Sequence, residues 1–225
     1  MNREATLKIR WLGRVPYEHA LAMQEEIVAR KIEFPETPDE LLLLEHDPVY
    51  TIGRTPDQSS LGSSENLPHT VVRINRGGQA TYHGPGQLIG YPVLNLRPLG
   101  QDLHRYLRAL ESALIATLHE FGVAGLRREG LTGVWVEARK IASIGVGVRK
   151  WTSMHGFALN VCGDLTPFNH ITPCGIQGVE MTSLSREAGR NLSVEEVADI
   201  AARYVREEME HLRAETCRVT SEMVG

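Results

Sequence analysis

The residue best suited to covalent chemistry in this chain is Cys174, in the stretch His170-Ile171-Thr172-Pro173-Cys174-Gly175-Ile176. Proline fixes φ before the thiol and glycine frees the backbone after it, a setting that holds a side chain at the surface of a loop. By residue type alone, a cysteine is more often an inert buried hydrophobe than a nucleophile. A free thiol is only slightly ionised at neutral pH, so a reactive one needs a positive charge or a base beside it. His170 is close in sequence. Lys140 is distant in sequence but can lie across the fold. An ammonium about 4 Å away, at an effective dielectric of about 20, contributes roughly 4 kcal/mol, enough to make the thiolate dominant. Cys162 follows an expected strand and reads as a small buried residue; Cys217 lies in the C-terminal segment and receives no role.

Two further stretches carry residues of chemical interest. Residues 76–96, RGGQATYHGPGQLIGYPVLNL, hold glycines 77, 78, 84, 86 and 90 and prolines 85 and 92. Glycine lets a ligand approach the main chain, and a tight hairpin with a bend is the competing account. Arg76, Gln79, Tyr82 and His83, polar groups beside those glycines, favour a functional role. The segment has neither GxxxxGK[ST] nor GxGxxG, so it is no phosphate loop of either kind. In residues 139–148, RKIASIGVGV, the small residues Ala142, Ser143, Gly145 and Gly147 leave room for a bound chain, as do His155-Gly156-Phe157-Ala158. Lys140 is expected at the end of a turn; a lone lysine is usually a solvated surface charge.

The elements that must position these groups are legible from periodicity. Residues 6–12, 41–46, 49–53 and 71–75 alternate or cluster as strands, and 132–137, 141–148 and 153–161 read as three more. Residues 16–32 read as a helix with Pro16 in its first turn. A second starts at Asp102, with Leu103, Tyr106, Leu107, Leu110, Leu114, Leu118 and Phe121 on one face. A third starts at Ser193, where Glu196 completes a capping box. Residues 54–69 are expected to be a loop, and the chain from about 214 a flexible tail. Strands outnumber helices without strict alternation. The expected class is therefore α/β of the α+β type, a mixed β-sheet flanked by helices, in a single domain over residues 1–225.

Composition excludes several classes. The net charge of −4 argues against non-specific nucleic-acid binding. No apolar segment at the N-terminus resembles a secretory signal, and Leu41–Leu44 is far too short a run to span a bilayer. Three cysteines without a CxxC pair point to free thiols in a reducing cytosol, not to disulfides or zinc.

Four blocks taken together, residues 76–96, 133–151, 155–161 and 169–176, resemble the octanoyltransferase family of lipoate biosynthesis, the lipoyl(octanoyl) transferases. The resemblance runs from about residue 7 to about residue 210, with the blocks in the family's order. It implies transfer of an octanoyl group from octanoyl-acyl carrier protein to a lysine on lipoyl domains of 2-oxo acid dehydrogenases or on the glycine cleavage H protein. It implies that the cysteine carrying the acyl group as a thioester is Cys174, and that the lysine keeping that thiol ionised and shuttling protons is Lys140. Substrate contacts are implied at Arg76, Gly77, Gly78, Gln79, Ala80, Thr81, Tyr82 and His83, at Ser143, Ile144 and Gly145, and at Gly156, Phe157 and Ala158. It also implies a fold similar to biotin and lipoate protein ligase catalytic domains, with no cofactor, no metal, and neither nucleic acid nor membrane as partner.

Two other classes compete. An ATP-dependent lipoate or biotin ligase of the same fold would form an acyl-adenylate and leave Cys174 without a role. A non-catalytic module binding acidic carriers would need a local basic surface, for which Arg73, Arg76, Arg139, Lys140, Arg149 and Lys150 are candidates.

Overall fold

The structure is a computed structural model that describes residues 7–54, 56–62 and 67–224. Thr6 of the expected first strand, and Thr55 and residues 63–66 of the expected loop, lie outside the described residues. The chain runs β1 (Lys8–Val15), α1 (Tyr17–Glu33), β2 (Glu40–His46), β3 (Val49–Ile52), β4 (Val71–Arg73), β5 (Thr81–His83) and β6 (Gln87–Val93). It continues through α2 (Leu103–Glu120), β7 (Leu126–Arg128), β8 (Leu131–Val136), β9 (Arg139–Arg149), β10 (Thr152–Asn160), α3 (Leu184–Ala188) and α4 (Val194–Val224).

The main sheet has the order β1-β2-β6-β10-β9-β8-β7. Its β1–β2 pair is parallel and its other pairs are antiparallel, so the sheet is mixed, as expected. A smaller sheet, β4-β3-β5, stands beside it. Side chains alternate across a strand, so a strand buried on both faces is apolar throughout. In β2, Leu41 and Leu43 enter the core under α2 and α4, while Leu42 and Leu44 enter the core under α1. The small sheet closes a third core, in which Tyr50, Ile52 and Tyr82 meet Phe168 and Met181.

The helices begin where their caps say. The Asp102 carboxylate accepts from the backbone N–H groups of His104 and Arg105, and Ser193 Oγ accepts from Glu196 N–H at 3.1 Å. Helix α4 continues to Val224, past the point near 214 where a tail is expected. Arg213 pairs with Asp39, and Arg105 pairs with Glu215 at 2.5 Å, so this end of α4 is tied to the sheet and to α2. Among the described residues, no helix is long and apolar enough to cross a membrane.

Candidate active site

Lys140 is the second residue of β9, not the end of a turn, and is 1% exposed. Its backbone is tied to residues 180–182: Lys140 N–H donates to Glu180 O, and its carbonyl accepts from Thr182 N–H. The ammonium donates to Thr132 O and to Cys174 Sγ, each at 3.2 Å, and lies 5.4 Å from the centre of the Trp135 ring. Gly133, at φ +126°, gives it room: a Cβ there would sit 2.8 Å from Lys140 Cε.

Cys174 occupies a single turn, Pro173–Gly175, and is itself left-handed, at φ 56° and ψ 19°. A non-glycine residue held there carries local strain, and such positions cluster at functional sites. Backbone bonds hold it in place. Cys174 N–H donates to Ala80 O at 2.9 Å, and Thr172 N–H donates to Ser60 O at 2.7 Å. Ser60 Oγ in turn accepts from Ala80 N–H and donates to Gln79 Oε1. The sulfur is half-buried, with Ser143 Oγ 3.7 Å away, whereas His170 is exposed and makes no hydrogen bond to it.

The dyad opens into a cleft of about 340 Å³. Of the residues expected at the substrate, Arg76, Gly77, Gly78, Gln79, Thr81, Ser143, Ile144 and Gly145 line it. Leu103 and Leu107 of α2, Leu131, Val146 and Ile176 add an apolar wall. The cleft therefore suits a short aliphatic chain with a polar, reactive end.

Ala80, Tyr82, His83, Gly156, Phe157 and Ala158 lie away from it. Ala80 and Tyr82 pack in the core of the small sheet. Gly156 lets β10 approach β6, since a Cβ there would be 2.2 Å from Gly90 O. Phe157 and Ala158 enter the two cores of the main sheet. His83 belongs to a buried polar chain. Arg76 donates to Thr51 Oγ1 at 3.0 Å, and that hydroxyl faces His83 Nε2 at 3.3 Å. His83 Nδ1 meets Gln87 Oε1, Gln87 Nε2 donates to Asn160 Oδ1, and Asn160 Nδ2 donates to Thr182 O. Thr182 N–H closes the chain on the Lys140 carbonyl. The two cations lining the cleft are thus joined through neutral groups. Burial lowers the His83 pKa to about 3, with His46 the next cause, so its imidazole is neutral at ordinary pH.

Arg76 and Lys140, offered above as parts of a basic surface, are buried. Burial lowers the Arg76 pKa, and the Cys174 sulfur acts in the opposite direction. Arg139 is paired with Glu187 at 2.9 Å and is no free surface charge. Cys162, read as buried, is exposed. Sequence reading missed Gly133, Ser60, Leu103, Leu107 and Leu131. The hydrophobic period of α2 signalled Leu103 and Leu107 only as core-facing residues; Ser60 carried no signal.

A model of the lipoyl protein ligase A/B catalytic domain matches residues 16–206. The octanoyltransferase of Syntrophotalea carbinolica is 54% identical over 194 residues, covering 85% of this chain and 89% of that protein. The octanoyltransferase of Geobacter sulfurreducens is 52% identical over 197 residues, covering 87% and 82%. Among solved structures, the bi-partite lipoate protein ligase of Thermoplasma acidophilum superposes with a TM-score of 0.69 at 18% identity, covering 92% of this chain and 90% of that one. A biotin protein ligase from Aquifex aeolicus gives 0.55 at 14% identity, covering 92% and 70%. Those two likenesses concern the fold.

Proposed function

The chain belongs to the lipoyl protein ligase A/B catalytic family and, within it, to the octanoyltransferases, and from this premise we propose that it moves an octanoyl group from octanoyl-acyl carrier protein to a lysine of lipoyl domains through a thioester on Cys174. The acceptors are lipoyl domains of 2-oxo acid dehydrogenases and the glycine cleavage H protein, in the cytosol. The observation that carries this reading is the 3.2 Å contact between Lys140 Nζ and Cys174 Sγ inside an apolar-walled cleft.

The chemistry balances around that pair. The Cys174 thiolate attacks the donor thioester; a new C–S bond forms, the donor C–S bond breaks, and Lys140 gives its proton to the departing thiolate. Exchange of one thioester for another is nearly isoenergetic. The acceptor amine then attacks the acyl-enzyme, an amide forms, the C–S bond to Cys174 breaks, and neutral Lys140 takes the amine's proton. Both partners return to thiolate and ammonium, and no nucleotide is consumed. Two half-reactions through one nucleophile predict ping-pong kinetics. The octanoyl tail is drawn to the wall of leucines and isoleucines by roughly 5 kcal/mol, at about 0.8 per buried methylene.

Cys174→Ala is the decisive variant. The unsubstituted protein, incubated with octanoyl-acyl carrier protein, should gain one octanoyl mass that hydroxylamine removes, and should then label lipoyl domain. The variant should do neither. Octanoylated lipoyl domain produced by Cys174→Ala sinks this mechanism, and ATP-dependent pyrophosphate release with free octanoate would mark a ligase instead.

A further inference from the structure

A second cavity, of about 630 Å³, lies between α1, residues 73–75 and the tip of the β9–β10 hairpin. Arg54, Arg73 and Arg149 line it and are exposed, and Glu25 is the one carboxylate among its lining residues. Several arginines of this chain are paired: Arg30, Arg108, Arg127 and Arg139 each hold a glutamate. Among the described residues no carboxylate pairs with Arg54, Arg73 or Arg149; Arg73 donates to the neutral Gln58 side chain. Three cations with no carboxylate partner among the described residues, on a chain of net charge −4, run against its average. Val148, 36% exposed, lies among them, giving an apolar centre within a charged rim.

The cavity adjoins the cleft along two segments. Residues 73–75 line the cavity and 76–79 the cleft; Val148 and Arg149 line the cavity and 143–146 the cleft. We propose that this arginine-rimmed face is where the acidic carrier protein that delivers the acyl group docks, an inference that rests on the reading of the previous subsection. Ser143 and Arg149 are about 20 Å apart along β9, at about 3.3 Å per residue. Ser143 Oγ lies 3.7 Å from the Cys174 sulfur. A carrier's thioester is borne on a flexible arm of roughly thirteen bonds, which reaches about 16 Å at about 1.2 Å per bond. The remaining distance is within the length of an arginine side chain. A carrier seated on the three arginines can therefore place its thioester at Cys174 while its body stays outside the cleft. Opposite charges steer such an encounter and set its salt dependence.

The test compares the unsubstituted protein with Arg54→Glu/Arg73→Glu/Arg149→Glu, using three donors: octanoyl-acyl carrier protein, octanoyl-4′-phosphopantetheine and octanoyl-N-acetylcysteamine. The expected result is a KM for the carrier-bound donor raised by about tenfold or more at low salt, with kcat and both small donors unchanged. The difference should shrink as salt approaches 1 M, where charges are screened within about 3 Å. Retained activity on the small donors also certifies the fold. An unchanged carrier KM overturns the proposal. So does an equal loss with octanoyl-4′-phosphopantetheine, which would make the face a phosphate site, and so does a rise confined to the KM for lipoyl domain. Anisotropy of labelled, unacylated carrier on a Cys174→Ala background reads docking without any transfer. The surface can thus be judged even if the thioester mechanism fails.

Discussion

Lys140 shows how a single residue sets this site. It is a cation with 1% exposure, and its hydrogen-bond acceptors are a carbonyl and a sulfur, with no carboxylate among them. A buried ammonium whose partners are neutral is expensive, and in the mechanism proposed above a Cys174 thiolate would offset that cost. Replacing the cation by an apolar chain of similar length tests this directly. In Lys140→Met, alkylation of Cys174 by iodoacetamide at pH 7 should slow at least about tenfold, while Cys217 reacts as before. Octanoyl transfer should fall about 100-fold or more, the usual scale for losing a positioned proton carrier. Equal alkylation rates in the two proteins would remove Lys140 from thiol activation.

At the level of elements, the first turns of α2 close the apolar end of the cleft with Leu103 and Leu107. Helix α2 is fixed from below, since buried Glu111 accepts from Gly133 N–H at 3.0 Å and pairs with Arg108 and Arg127. A fixed wall limits the length of chain that fits. Leu107→Ala should raise the kcat/KM for decanoyl relative to octanoyl donors by about tenfold, two methylenes at about 0.8 kcal/mol each. An unaltered ratio would place the tail elsewhere. Elements of this kind were largely legible in the sequence. The strands on either side of Lys140, the helix start at Asp102 and the capping box at Ser193 follow from alternation, periodicity and side-chain chemistry. What was not legible is which face of a strand meets the cleft. Residues 81–83 alternate, so Thr81 reaches the cleft while Tyr82 turns into the core of the small sheet. Glycines read as space for a ligand divide similarly: Gly145 lines the cleft, and Gly156 serves strand pairing. The meeting of residues 140 and 174 depends on long-range closure that no local spacing encodes. Only the family resemblance implies it.

For the molecule as a whole, three buried histidines couple stability to acidity. Burial is the first cause in each case, lowering the pKa of His46 to about 4, of His83 to about 3 and of His155 to about 4. In the unfolded chain they titrate near 6.5. Between those values the unfolded state binds protons that the folded state excludes. Their contribution is therefore complete above about pH 6.5 and is lost as pH falls toward 4. The urea midpoint should decline from pH 7 to pH 5, at up to about 1.4 kcal/mol per pH unit for each histidine, with an unchanged m-value. A level midpoint across that range would mean that these rings take up protons in the folded state as readily as in the unfolded chain. The left-handed turn at Cys174 has a consequence of another sort. Its amide is anchored on Ala80, and its loop on Ser60, groups contributed by chain segments roughly a hundred residues earlier. The contact between Cys174 and Lys140 therefore depends on both halves of the polypeptide coming together. On the proposed mechanism, assembly of the nucleophile would then wait on closure of the fold, and an incompletely folded copy would be unable to take up an acyl group.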